Sequence, residues 1–91
     1  MSAKIWSVVF SKAARKSLKR METSVHIRVL DQLDQLSALE NPLRHKDVRS
    51  LEGKLRGYYR LRIGEYRFIF ELDPMNRNIS VNSIVPRGNA Y

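Results

Sequence analysis

The sequence predicts an α+β fold: an N-terminal strand, a helical hairpin and then a three-stranded antiparallel meander (β-α-α-β-β-β), with the helices packed on one sheet face. Three observations support this order. A segment rich in β-branched and aromatic residues opens the chain, two segments with helical spacing follow, and the C-terminal half alternates between strand-like runs and turns. Helices followed by a run of strands are typical of α+β domains. The 91 residues allow a single domain, 1–91, and exclude a two-domain enzyme.

The first strand is predicted at residues 5–10, whose sequence IWSVVF favours β structure. Trp6 is expected in the core, because an isolated aromatic residue in an apolar run usually packs there. Ser11 is a natural N-cap for a short basic helix that begins at Lys12. Helical spacing places these apolar positions on one face: Phe10, Ala14, Leu18 and Met21.

A second helix is predicted from an N-cap at Thr23 or Ser24 to the Asn41-Pro42 pair, since proline disfavours helix in the residue before it. His26 is interpreted as a surface or half-buried position of this helix. Its apolar positions are Ile27, Leu30, Leu33, Leu36 and Leu39. The two helices are therefore expected to form a hairpin.

Three strands are predicted after the helices. Two runs at 58–63 and 66–72 are separated by Gly64-Glu65. A two-residue connection with glycine first favours a type II′ turn and hence a β-hairpin. Residues 73–78 contain proline and two asparagines and form the next turn, and the last strand is predicted at 79–84.

The chain carries a net charge of +8, from 17 Lys and Arg against 9 Asp and Glu, with a pI near 10.3. The excess lies in residues 1–20 and 44–67, whereas 21–43 are acidic. Such a surface attracts polyanions. Within the second basic stretch, residues 43–57 are predicted to form a basic loop. Its apolar anchors are Val48, Leu51 and Leu55.

Composition also excludes several kinds of chemistry. The absence of cysteine removes disulfides, a thiol nucleophile and every Cys-based zinc site, and two isolated histidines cannot fill a tetrahedral metal site. We therefore expect neither a metal nor a cofactor. No apolar run approaches the roughly 18 residues that a membrane span requires, which predicts a soluble, cytoplasmic protein.

The register of the predicted hairpin brings three arginines together. If Gly64 and Glu65 form the turn, Arg62 lies opposite Arg67, with Arg60 two residues away on the same sheet face. Like charges directly opposite each other destabilise a sheet unless an anion or a carboxylate compensates. The other face of the hairpin carries the apolar residues: Tyr59, Leu61, Ile63, Tyr66, Phe68 and Phe70.

Arginine in this arrangement favours phosphate as the compensating anion, because its planar fork donates bidentate hydrogen bonds and stays charged. Tyr58 lies on the same face and offers a stacking surface for a base, as in single-stranded nucleic-acid platforms. The alternative is an ordinary solvated sheet face, on which Glu65 or Glu71 provides partial neutralisation.

A longer pattern contains these arginines. Residues 51–70 read LEGKLRGYYRLRIGEYRFIF, and IVPR at 84–87 and a closing tyrosine follow. With these residues the chain resembles the RelE/ParE toxin superfamily, and more narrowly the RelE-type mRNA interferases of toxin–antitoxin modules. The preceding strand and helical hairpin also match the family order β-α-α-β-β-β.

The resemblance implies a toxin of a type II toxin–antitoxin system, a ribosome-dependent endoribonuclease that cleaves mRNA in the A site and inhibits translation. It places the family's catalytic residues on Arg60, Arg62, Arg67, Arg87 and Tyr91. The implied partners are mRNA on the ribosome, ribosomal RNA and a cognate antitoxin with an acidic or amphipathic segment. Two alternatives stay open: a ParE-like poison of DNA gyrase, and a catalytically inactive basic binding module.

For the nuclease, RNA supplies its own nucleophile, the 2′-hydroxyl. The arginines can hold the reacting phosphate but stay protonated, so Tyr91 or Tyr58 is the candidate general base. Further residues of the basic segment are predicted to bind RNA: His45, Lys46, Arg49, Lys54 and Arg56. On the first helix a second cluster is predicted to contact ribosomal RNA phosphates: Lys12, Arg15, Lys16 and Lys19. The alternative for that cluster is a solvated helix face.

Overall fold

Two helices and five strands make up the part of the chain that the computed structural model describes, residues 4–86. In chain order they are β1 (Ser7–Phe10), α1 (Lys12–Lys19), α2 (Thr23–Ala38), β2 (Val48–Ser50), β3 (Tyr59–Ile63), β4 (Tyr66–Asp73) and β5 (Asn78–Pro86). Two 3-10 turns, Pro42–Arg44 and Gly53–Leu55, flank β2. The architecture confirms the predicted α+β class.

The strands form one sheet in the order β1-β5-β4-β3-β2. β1 pairs with β5 in parallel, and every other neighbouring pair is antiparallel. β4 therefore lies at the centre of the sheet. Both helices pack on one sheet face, because the buried apolar side chains of the strands alternate toward that side.

The first helix forms as its sequence predicts. The hydroxyl oxygen of Ser11 accepts a hydrogen bond from the amide of Ala14 at 3.0 Å, which satisfies one of the free amides of the first turn. Ala14 and Leu18 are buried in the core, and Met21 packs against it. Trp6 is also buried, and its indole N–H donates to the carbonyl of Glu40 at 3.2 Å.

The predicted apolar face of the second helix was partly wrong. The buried apolar positions of α2 are Val29, Leu33 and Leu36, whereas Ile27 and Leu30 are 63% and 53% exposed. Successive helical residues are about 100° apart, so Leu30 lies about 100° around the helix from Val29 and Ile27 about 160° from it, nearly opposite the buried face. Apolar residues occur on more than one side of the helix, so the sequence allows more than one buried face. Only packing against the sheet selects the face that is buried.

The predicted N-cap of this helix was also wrong. Glu22 occupies the N-cap position with extended backbone and makes no side-chain cap hydrogen bond, and Thr23 is already the first helical residue. The helix ends at Ala38, with Leu39 in extended conformation, as expected upstream of Pro42. His26 is half-buried, in agreement with its predicted place in the helix.

The segment at 43–57 is more regular than the predicted basic loop. Val48–Ser50 forms the edge strand β2, paired with β3. Val48 is buried in the core, while the two following residues are exposed. Three residues are too few for an alternation signal, and the strand exists because β3 supplies its hydrogen-bond partners.

No helix within residues 4–86 is long and apolar enough to cross a membrane.

Leu36→Ala and Leu30→Ala test which face of α2 carries the packing. Leu36 is fully buried, so its truncation is expected to reduce the free energy of unfolding by about 2–5 kcal/mol through lost transfer energy and a cavity. Leu30 is more than half exposed, so the same truncation on the same helix is expected to cost less than about 1 kcal/mol. Urea unfolding followed by circular dichroism measures both. Equal losses would contradict the assigned face.

Candidate functional site

The β3–β4 hairpin has the predicted turn and register. Gly64 has φ of +56°, and Glu65 is not among the described residues with positive φ, as a type II′ turn requires. Ile63 pairs with Tyr66, so Arg62 lies directly opposite Arg67. The hairpin therefore places these two arginines on the same sheet face, away from the helices.

The edge strand β2 adds a fourth arginine to this face. Arg49 pairs with Arg60, which in turn pairs with Ile69 of β4. Paired residues of antiparallel strands project to the same side. We call this surface the arginine face; it carries Arg49, Arg60, Arg62 and Arg67 from three neighbouring strands.

The guanidinium groups at the centre of the arginine face have no anionic partner in the described part of the chain. An ion pair joins Lys4 to Asp34 of α2 at 3.4 Å, and neither of these residues lies on the arginine face. Arg60, Arg62 and Arg67 make no side-chain hydrogen bond to any residue between 4 and 86. Their donors are therefore available to an external anion.

Arg49 differs from the other three. Its Nη1 donates to the carbonyls of Lys46 and Val48 at 3.0 and 2.9 Å, so part of its donor set stabilises the start of β2. It still contributes its charge beside Arg60. The sequence predicted Arg49 as an RNA-binding residue of the basic loop, but its place on the arginine face was not predicted, because the three-residue β2 was interpreted as loop.

The centre of the arginine face has an apolar floor. Ile69 pairs with Arg60 on one side and Ser83 on the other, and it is only 2% exposed. Arg60 and Arg67 are themselves half-buried. Partly buried charges above an apolar floor are less screened by water than charges on a flat surface, which strengthens their attraction for an anion.

One end of this face adjoins a pocket beside Tyr58. The pocket has a volume of about 470 Å³ and lies between the end of β2 and the 3-10 turn at Gly53–Leu55. Tyr58 is half-buried at its wall, which the exposed residues Ser50, Glu52 and Arg56 also line. The predicted RNA-binding residues Lys54 and Arg56 are exposed on this turn.

The basic cluster of the first helix lies on the other side of the sheet. α1 packs on the opposite face of the sheet, so its charged residues are separated from the arginine face by the sheet itself. All four predicted residues of the cluster are exposed: Lys12, Arg15, Lys16 and Lys19. Lys16 and Lys19 lie in the last turn, where positive charge also interacts favourably with the helix dipole.

His45, predicted as an RNA contact, does not share the exposed surface of its neighbours. It is 8% exposed, and its Nδ1 accepts a hydrogen bond from the amide of Asp47 at 3.1 Å. Burial lowers the pKa of His45; the carboxylate of Asp47 acts in the opposite direction, and Lys46 adds to the lowering. The geometry gives His45 the role of fixing the bend before β2, whereas Lys46 is exposed.

Two predicted catalytic residues, Arg87 and Tyr91, lie outside the described residues. Among residues 4–86, no three histidine or carboxylate side chains come close enough together to hold a metal ion.

The comparisons with known proteins agree with this architecture. A family profile described as "ParE toxin of type II toxin-antitoxin system, parDE" matches residues 8–91. No curated protein sequence matches the chain.

Several solved toxins have the same fold. The archaeal RelE–RelB complex from Pyrococcus horikoshii matches with 30% identity and a TM-score of 0.76, over 94% of this chain and 99% of that chain. The toxin–antitoxin complex RelBE2 from Mycobacterium tuberculosis matches with 22% identity and a TM-score of 0.78, over 97% and 98%. The isolated RelE toxin of E. coli matches with 17% identity and a TM-score of 0.72, over 93% and 87%.

The lowered pKa of His45 predicts a pH-dependent stability. The unfolded chain binds a proton near the ordinary histidine pKa of about 6.5, whereas the folded chain binds it only at lower pH. Stability is therefore expected to fall as the pH decreases from about 6.5 through the folded pKa. Unfolding free energies measured in urea between neutral and mildly acidic pH test this.

The matched variants are His45→Gln and His26→Gln. The first is expected to flatten the stability profile in that pH range, while the second removes the half-buried histidine of α2 and controls for the loss of an imidazole elsewhere. A His45→Gln profile parallel to that of the wild type would show that His45 does not cause the pH dependence.

Proposed function

Since the chain belongs to the RelE/ParE superfamily and is a toxin of a type II toxin–antitoxin system, we propose that it is a ribosome-dependent endoribonuclease that cleaves mRNA in the A site. Its activity would then inhibit translation. The observation that carries this proposal is the arginine face, where three guanidinium groups from two paired strands have no partner among residues 4–86.

The arginine face is unfavourable for folding but favourable for binding a phosphate. Arg62 opposite Arg67 is a repulsive pair, and no described carboxylate forms an ion pair with either residue. An RNA phosphodiester supplies the missing negative charge and accepts several hydrogen bonds at once. Interactions that strengthen as charge develops on the phosphate accelerate the reaction, because they stabilise the transition state more than the bound substrate.

Cleavage needs no covalent protein intermediate. The 2′-oxygen of the ribose attacks the adjacent phosphorus, a new P–O bond forms, and the bond to the 5′-oxygen of the next nucleotide breaks. The 2′-hydroxyl proton goes to a base, and the departing 5′-oxygen receives a proton. Arg60, Arg62 and Arg67 would align the phosphate and stabilise the charge on its oxygens.

Arginine cannot accept the 2′-hydroxyl proton, because it stays protonated in proteins. A tyrosine beside the reacting phosphate is the better candidate, because a phenol oxygen can exchange its proton whereas a guanidinium group cannot. Tyr58 lies at the end of the arginine face, and Tyr91 is the second candidate, implied by the family resemblance. Arg87 would add a further phosphate contact by the same resemblance.

Two surfaces of the protein would have different roles on the ribosome. The α1 cluster would contact ribosomal RNA phosphates and orient the protein, and the arginine face would perform the chemistry. A cognate antitoxin with an acidic segment would block the reaction by covering the arginine face. The solved relatives from Pyrococcus horikoshii and Mycobacterium tuberculosis are themselves toxin–antitoxin complexes, which supports such a partner.

The match to the ParE toxin family favours a second candidate, a poison of DNA gyrase that performs no chemistry itself. Plasmid supercoiling by purified gyrase distinguishes the two. We expect the protein to leave supercoiling unchanged while it cuts mRNA during translation. Inhibited supercoiling without mRNA cleavage would contradict the nuclease proposal and support the gyrase poison.

Arg67→Ala is expected to lower the cleavage rate by about 10²–10³-fold, the effect of removing one donor to a transition-state oxyanion. The fold should persist, because Arg67 projects from the face that carries no helix. Primer extension on an mRNA translated in vitro with purified protein measures the rate, and cuts should follow the codon phase and disappear without ribosomes. Arg44→Ala removes an exposed charge elsewhere and serves as the control. Unchanged cutting by Arg67→Ala would exclude Arg67 from the site.

The ends of the RNA fragments report the mechanism. Attack by the 2′-hydroxyl is expected to leave a 2′,3′-cyclic phosphate on one fragment and a 5′-hydroxyl on the other. A kinase that labels only 5′-hydroxyl ends should therefore label the downstream fragment without prior phosphatase treatment. Fragments with 5′-phosphate ends would contradict 2′-hydroxyl attack and indicate activation of water instead.

A further inference from the structure

We propose that a second phosphate-binding site lies at the edge of the sheet, between α2 and the end of β3, where it holds RNA backbone that continues from the arginine face. The site is a polar pocket of about 570 Å³. Its cations are Arg28 of α2, Lys46 and Arg62. This inference rests on the proposed function, because it assigns a further part of the same RNA path.

The pocket exists because β2 is shorter than β3. β2 covers β3 only from Tyr59 to Leu61, so the last two residues of β3 pair with β4 but have no strand on their other side. The amide of Arg62 instead donates to the carbonyl of Asp47 at 3.1 Å, which fixes the chain at the pocket wall. The gap beyond this contact opens toward one side of α2. The α2 residues in its lining are Arg28, Gln32 and Gln35.

The guanidinium group of Arg28 is held over the hairpin turn. Its Nη1 lies 3.3 Å from the position that a Cβ on Gly64 would occupy, so the group rests against the turn backbone. Despite this close packing, Arg28 donates no hydrogen bond to any described residue and forms no ion pair there. The same holds for the side chains of Lys46 and Arg62.

The charge balance of the pocket favours an anion. Three cations face one carboxylate, Asp47, and no described cation forms an ion pair with that carboxylate. Gln32 and Gln35 add neutral amide donors. A phosphate offers more acceptor sites than the two oxygens of a single carboxylate, so it can use this donor set more fully.

Arg62 makes the pocket and the arginine face continuous. By register its side chain belongs to the arginine face opposite Arg67, and the residue also forms part of the pocket wall. An RNA backbone bound on the arginine face can therefore pass around the sheet edge at Arg62 and reach Arg28. Such a contact would add affinity without reading the base sequence.

Arg28→Gln tests the site through the salt dependence of RNA binding. The probe is a short single-stranded 2′-O-methyl RNA oligonucleotide, which has no free 2′-hydroxyl and is not cut. Fluorescence anisotropy gives Kd over a range of salt concentrations. Losing one phosphate contact is expected to reduce the log–log slope by about 0.7. Lys46→Gln should shift the slope in the same direction, and Arg28→Lys should restore much of the wild-type slope.

Arg44→Gln is the matched control, because it removes the same charge from an exposed position outside the pocket. If Arg28→Gln and Arg44→Gln give the same slope, the phosphate site is excluded. A second probe, an oligoglutamate peptide, tests for a protein partner. If Arg28→Gln weakens binding of the peptide but leaves the RNA slope unchanged, the pocket binds protein carboxylates and the proposal is overturned.

The two proposals fail separately. mRNA cleavage by the wild type, together with an unchanged RNA slope in Arg28→Gln, removes the edge site and keeps the nuclease. A changed slope in Arg28→Gln, together with no cleavage on ribosomes, keeps the edge site and removes the nuclease.

Discussion

The register of the β3–β4 hairpin is the constraint on which the rest of the structure depends. Side chains of a strand alternate between faces, so a slip of one residue would move the arginines into the core and the apolar residues into water. Leu61 and Phe68 pair with each other and are fully buried under the helices. A slip would expose both to water and is therefore very unfavourable. The positive φ of Gly64 fixes the same register from the turn.

Because of this register, the two faces of the hairpin have different properties. Its helix-side face supplies apolar burial that stabilises the fold, while its other face concentrates positive charge that opposes folding. The repulsion between Arg62 and Arg67 is tolerated because the core on the opposite face offsets it. Stability and anion binding therefore depend on different side chains of the same two strands, and substitutions on one face can leave the other intact.

The fold alone does not decide the activity of the chain, because one fold can carry different functions. The distinction depends on side chains. A group of closely spaced arginines above an apolar floor suits the binding of a phosphate, whereas the exposed α1 cluster suits general attraction to a polyanion. The two surfaces lie on opposite sides of the sheet, so an anion bound to one does not occupy the other.

Local signals in the sequence determined the hairpin, its turn and the Ser11 cap, because each depends on residues that are neighbours along the chain. They also determined that Arg60, Arg62 and Arg67 share a face. The stripe of α2 that is buried, the strand β2 beside β3, and the approach of Arg28 to Gly64 were decided only by the tertiary structure. Each of these depends on a partner far along the chain, which supplies hydrogen bonds or excludes water, and no local pattern carries that information.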